Sequence, residues 1–272
     1  LYNSLLIHDR GYCSHFEFYT HRGKPEDSHI LMSKYKDPNS PTDMFMFHCL
    51  PDEAPLLLQA LDETQLVNWH KNINFMALPP FLLHELRQKL QVKAELDAPV
   101  IELPHNVFIY TPGVEVQCPA EFCVGKLGNA GLHKMFNSWT HNIHFDINLF
   151  SSMVKSGLGY GVYSSHLSSS RIPEVDKIST AEDSDVPVAW ITLCPYGQMG
   201  LLETEEGYRR QGLGGLVTQV SAQMLDREGF VAQAMVDEAN EKSQRMFQKL
   251  GWRVGFTCTI LVKSKNKLKF KY

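Results

Sequence analysis

Across its 272 residues the chain has no CxxC pair, no run of about 18 apolar residues, no P-loop pattern and no excess of basic charge. Each absence excludes a class. The six cysteines (Cys13, Cys49, Cys118, Cys123, Cys194 and Cys258) are scattered, which argues against a zinc ribbon or a disulfide frame and predicts reduced, buried thiols. Without a long apolar run no membrane span is expected. A formal net charge of −4 offers no electrostatic footprint for nucleic acid as the main partner. Composition, with 43% hydrophobic and 21% charged residues, is that of a soluble globular protein able to bury a real core. An intracellular, reducing compartment is expected, cytoplasmic or mitochondrial.

What is present is organised around residues 207–215, GYRRQGLGG, and the helix they open. Leu213, Leu216, Val217, Val220 and Met224 recur at helical spacing, so a glycine turn feeds an amphipathic helix. The first N–H groups of a helix lack intrahelical partners and lie at the positive end of its dipole. Glycine lets that backbone approach an anion, and Arg209 and Arg210 add charge. A glycine loop without a ligand is the plain alternative. The pattern is neither a P-loop nor a dinucleotide fingerprint, because Val217 stands where GxGxxG requires glycine.

Taken in order, strand-like pieces fall at 15–19, 29–33 and 43–48, and helices start near Pro51 and at Pro79-Pro80. Strand-like VIEL (100–103) and VFIY (107–110) follow, and Thr111-Pro112-Gly113 marks a boundary that divides the chain into 1–113 and 114–272. The first part reads as scaffold or lid, with His70 and His84 as isolated structural side chains. Beyond it come a strand at 121–126, a helix at 131–139 and a second helix at 147–155. Between them His141, His144 and Asp146 have a tempting spacing but no fourth ligand, so no metal is expected. Strands at 160–164 and 188–193 are joined by a connector judged too polar to pack. A strand at 198–204 leads into the glycine turn, a strand at 230–236 follows the helix, and a last helix covers 241–250. In the final strand and tail, lysines 263, 265, 267, 269 and 271 alternate, as on a protected sheet edge.

The order strand, Q/R-x-x-G-x-G/A, amphipathic helix, strand, then a helix opening at Asn240 resembles the acyl-CoA-binding core of the GNAT superfamily of N-acyltransferases. Within it, GYRRQGL, VDEANEKSQRM and the Trp139 helix ahead of a second short helix are most similar to the glycine N-acyltransferase group. The resemblance covers roughly residues 121–252. It implies an α/β (α+β) fold, a mixed, mostly antiparallel twisted sheet flanked by helices, with two GNAT-like halves in tandem and a degenerate first half that carries no cofactor.

The same resemblance implies acyl-CoA as cosubstrate. Leu202 and Thr204 would pair with its pantetheine arm, and residues 209–215 (Arg209, Arg210, Gln211, Gly212, Leu213, Gly214 and Gly215) would hold its pyrophosphate. Asn240, Ser243 and Phe247 would border the thiol end, and Trp139, His141 and His144 the pocket of a small amine acceptor such as glycine. Two positions depart from the family pattern: Gln198 stands where several relatives carry a general-base glutamate, and Phe247 where many carry a proton-donating tyrosine. A different base is one reading, either Glu203 on the same strand or His141 or His144 on the acceptor side; five residues from Gln198, Glu203 faces the other way unless a bulge intervenes. Reliance on positioning alone, acyl-CoA binding without turnover, and a protein-modifying acetyltransferase are the other readings.

Overall fold

The computed structural model describes residues 1–21, 29–36, 42–93, 99–139, 147–164 and 178–264. They form two compact units whose ends are exchanged. One takes Ser14–Asn106 and the chain from Phe256 onward; the other takes Tyr2–Cys13 and Val107–Gly255. The division therefore falls between 106 and 107, not at the Thr-Pro-Gly turn ending at 113. That turn belongs wholly to the second unit, whereas the division runs through two unbroken strands, β5 (Val100–Ile109) and β11 (Arg253–Lys263). VIEL and VFIY are thus one strand. Pro104 lies within it, and its fixed φ suits an extended chain.

The N-terminal unit holds β1 (Phe16–Thr20), β2 (Leu31–Tyr35), β3 (Thr42–His48), α2 (Ala54–Glu63), β4 (Asn72–Leu78) and α3 (Pro80–Lys93). Its strands run in the order β1-β2-β3-β4-β11. The first two pairings are antiparallel, whereas β3 and β4 are parallel across the α2 crossover, in register from Thr42 opposite Asn72 to Met46 opposite Met76. A strand covered on both faces needs apolar residues throughout, which is why TDMFMFH is buried at all but its last position. Leu57, Leu61, Leu82, Leu86 and Leu90 close the core over Phe45, Phe47 and Phe75. Lys263 is not on an edge: it is fully buried and its Nζ donates to the carbonyls of Trp69 and Lys71, because β11 pairs with β4 inside the sheet. The later lysines lie outside the described residues.

The C-terminal unit opens with α1 (Tyr2–Asp9) and continues with β6 (Phe122–Lys126), α4 (Asn129–Ser138), α5 (Ile147–Lys155), β7 (Gly159–Ser164), β8 (Ala189–Leu193), β9 (Met199–Thr204), α6 (Leu213–Arg227), β10 (Gln233–Asp237) and α7 (Glu241–Lys249). Strands β6 to β9 form an antiparallel meander, and β10 joins β9 in parallel. On α6 the buried stripe runs through Leu213, Leu216, Val217 and Val220 but ends on Leu225 rather than Met224. Its buried Gln219 is satisfied, accepting from Trp252 Nε1 at 2.7 Å and donating to the Val114 carbonyl at 3.2 Å. The polar connector does pack where it is described: Lys126 donates to the Ser179 carbonyl at 2.9 Å and accepts from Ala181 at 3.0 Å. Backbone pairing, which needs no apolar side chain, holds it there.

All six cysteines are free thiols. Burial pushes Cys49 and Cys118 up to about 11, and Cys194 and Cys258 up to about 12. A thiol that ionises near 9 when unfolded, and higher when folded, favours the unfolded chain as pH rises through that interval. Stability is therefore full below pH 9 and falls progressively between 9 and 12. Urea melts at pH 7, 9 and 10.5 check this; a midpoint constant to 10.5 contradicts it.

Candidate active site

The site is built where β9 and β10 part. Parallel neighbours normally pair along their length, yet the only registered pair here is Met199 with Ala234. Beyond it the two strands diverge, and the β10-facing side of β9 is left without a ladder. On its other side β9 stays zipped to β8 as far as Thr204 opposite Ala189, and Glu205 still donates to the Val188 carbonyl at 2.9 Å. Backbone groups alternate along a strand. With Glu203 and Glu205 turned toward β8, the N–H and C=O of Leu202 and Thr204 turn toward the gap.

A bulge interrupts β9 at this place. Gly200 lies opposite Thr192 and Glu203 opposite Trp190, so Leu201 and Leu202 together face the single residue Ile191. Leu201 takes φ +58°, a left-handed conformation that a branched residue adopts only under constraint. The extra residue reverses the alternation beyond it. Gln198, bonded through its carbonyl to the Cys194 N–H at 2.8 Å, therefore shares a face with Glu203, although five residues separate them. Gln198 is buried and its Oε1 has no hydrogen-bond partner among the described residues; the same holds for Trp190 Nε1, on the residue opposite Glu203.

The glycine turn closes the open end. Gly212 takes φ +81° and accepts from Leu216 N–H at 3.0 Å, so the amides of Leu213, Gly214 and Gly215 remain outside the helical ladder. No side chain caps them. A Cβ on Gly214 would stand 3.2 Å from Thr204 Oγ1 and 3.9 Å from Met246 Sδ, so this first turn lies directly against the end of β9. Arg209 folds back onto the strand, its Nε donating to the Thr204 carbonyl at 3.0 Å and its Nη2 lying 3.8 Å from Glu203 Oε1. Arg210, at φ +68°, and Gln211 are exposed.

Helix α7 borders the gap from the β10 side. Asn240 caps it by accepting from Ser243 N–H at 3.1 Å. Phe247 is not at the surface of the gap: it is buried, stacked on Phe108 at 5.3 Å and edge-on to Trp252 at 4.9 Å. Met246 is the α7 side chain that reaches the Gly214 turn, a position that helical spacing from Ser243 could have indicated. Helix α4 is tied to the residue that follows β9 by an ion pair between Lys134 and Glu205. Trp139 follows α4 with its ring edge-on to Phe150 at 5.6 Å; His141 and His144 lie outside the described residues.

A separate cavity of about 430 Å³, lined by Lys126, Ser151, Lys155, Thr180 and Asp183, shares no residue with the gap. The helix N-terminus there is already occupied, since Asn129 N–H donates to the Asp183 carboxylate at 3.1 Å. Among the described residues no three metal-ligating side chains converge, and no helix is long and apolar enough to cross a membrane.

A family model for FR47-like proteins matches residues 181–261, the stretch from the connector through the gap to β11. No curated protein matches the chain in sequence. In fold it is similar to a Drosophila protein with 17% identity and a TM-score of 0.77, over 98% of this chain and 89% of that one. It is also similar to a GCN5-related N-acetyltransferase from Sphaerobacter thermophilus (12%, TM-score 0.52, 87% and 76% covered). A tandem GNAT protein from the clavulanic acid biosynthesis pathway matches at 10% identity and a TM-score of 0.51, over 99% and 89% of the two chains. The fold is the GNAT fold, with two such halves in tandem.

Proposed function

We propose that the protein is an acyl-CoA-dependent N-acyltransferase acting on a small amine, of the glycine N-acyltransferase type. The parting of β9 from β10 carries this reading. It leaves a strand edge of the right polarity for a pantetheine arm to join, with an uncapped helix N-terminus at its open end for the pyrophosphate. Leu202 and Thr204 would pair with the arm, the amides of Leu213 to Gly215 with the phosphates, and Asn240 with the arm's far side. The thioester supplies the activated acyl group. Arg209, which holds the Thr204 carbonyl, exchanges that carbonyl for phosphate oxygens as the arm enters.

The chain's own contribution to chemistry comes from the face the bulge creates. Glu203 takes the proton from the attacking amine, and the unpaired Oε1 of Gln198 accepts a hydrogen bond from that amine and orients it. Neither Gln198 nor Phe247 moves a proton. The thiolate leaves without help from Phe247, whose ring belongs to the core.

The N-terminal unit is read as a GNAT-like half without cofactor. Its corresponding parallel pair, β3 and β4, is zipped over five residue pairs and offers no gap. The turn after β3 places Asp52 and Glu53 at the start of α2, where they repel phosphate.

Calorimetry with acetyl-CoA and benzoyl-CoA, followed by release of free thiol across glycine and a panel of amines, tests the assignment. Saturable binding and thiol release with at least one amine are expected. Absence of heat with either thioester overturns it, and binding without thiol release reassigns the chain as an acyl-CoA-binding protein.

A further inference from the structure

Helix α1 has little to recommend it as a helix. Its sequence, YNSLLIHD, carries no apolar stripe, and the residues it buries are Asn3, Ser4 and Ile7. Buried polar side chains are normally held by partners, and in α1 Asn3 has them, whereas Ser4 Oγ has none among the described residues. Asn3, 2% exposed, uses its amide completely: Nδ2 donates to the carbonyls of Gly197 and Val231, each at 2.7 Å, and Oδ1 accepts from Val231 N–H at 2.9 Å. Gly197 lies two residues before the Met199–Ala234 pair on one side, and Val231 three before it on the other. A single side chain thus bridges the chain entering β9 and the chain entering β10, at the closed end of the gap.

The turn is built for this approach. Gly197 takes φ +83°, and a Cβ there would stand 2.8 Å from Asn3 Cβ and 3.0 Å from Ser4 N. A glycine at that position satisfies both the left-handed backbone and the close passage of α1. Two further bonds fasten α1 to the same segment without touching β9: Arg10 Nη2 donates to the Glu228 carbonyl at 2.7 Å, and Tyr2 Oη to the Gly229 carbonyl at 3.3 Å.

From this geometry we infer that α1 is a working part of the gap, with Asn3 as the positioning residue that sets where β9 and β10 begin to part. Parallel strands with one registered pair have almost no ladder of their own to fix the angle between them. The Asn3 amide replaces the missing ladder bonds on the closed side, so the strands can diverge on the open side from a fixed pivot. Leu202 and Thr204 owe their placement to that pivot. The inference rests on the gap being the thioester slot, but its structural half can be read independently.

The test compares N3A with R10A in the full chain. Hydrogen exchange by mass spectrometry, on peptides covering 197–204 and 231–237, and acetyl-CoA affinity by calorimetry are the two readouts. N3A is expected to speed exchange in both peptides and to raise the Kd about 10-fold. R10A, which loosens the same helix at a point off the gap, leaves exchange in 197–204 and the Kd within 2-fold of wild type. Should N3A not fold, N3S, which keeps one donor, serves in its place with the same signs and smaller effects. Unchanged exchange and affinity in N3A, or equal effects from R10A, overturn the inference. If the wild-type chain binds no thioester, the proposed function fails, and the exchange arm alone decides whether Asn3 is the pivot.

Discussion

Replacing Gly214 by leucine is expected to weaken acetyl-CoA binding at least 100-fold while the protein stays folded. A Cβ at this position already stands 3.2 Å from Thr204 Oγ1, and the longer side chain can only project over the first-turn amides and the mouth of the gap. Charge-assisted hydrogen bonds to those amides contribute about 1.5–3 kcal/mol each, so screening two of them accounts for a loss of that size. On stability two effects oppose each other: replacing a helical glycine gains at most about 0.8–1 kcal/mol, and crowding of Thr204 Oγ1 offsets it. Calorimetry and thermal melting on one preparation separate the effects. Retained affinity in G214L removes the helix N-terminus from the binding site, and loss of affinity together with loss of fold would trace the effect to packing.

E203Q is expected to lower kcat by about 10²- to 10⁴-fold, the usual contribution of general base catalysis, with little change in acetyl-CoA affinity. The amide keeps the size of the side chain and cannot take a proton. A second variant makes the assignment specific: Q198E restores a carboxylate to the same face of β9, and in the E203Q background it is expected to recover part of the lost rate. Steady-state rates of wild type, E203Q and the double variant, measured side by side at one pH, supply the check. Equal kcat in E203Q and wild type shows that Glu203 is not the base.

The role proposed for Glu203 turns on something local that a strand pattern does not encode. Alternation along QMGLLET places it opposite to Gln198, and only the extra residue at Leu201 brings it round. Leucine has no preference for φ +58°, so nothing in the residue type announces the bulge. The glycine turn is the opposite case. Gly212 and Gly214 are legible because one needs a left-handed backbone and the other a close approach, and both requirements select glycine. Phe247 was legible as a departure from a tyrosine but not as a core residue, since the same apolar ring suits either place. Strand β4, NINFMAL, was missed despite burial of Ile73, Phe75, Met76 and Leu78; its asparagines mask the alternation. Helix α1 was missed because it has no apolar period at all.

The sequence by itself determined the order of elements from β6 to α7 and the glycine turn with its charges, and hence the expectation of an anion at the start of α6. These follow from contacts between near neighbours in the chain, where period, turn chemistry and helix ends leave a signature. The tertiary structure alone decided that β9 pairs with β10 at one position only, that a bulge turns Glu203 to the side of Gln198, and that an asparagine more than 190 residues away holds the two strands at their junction. Each depends on how far apart two backbones lie, which no pattern along a single stretch of chain records.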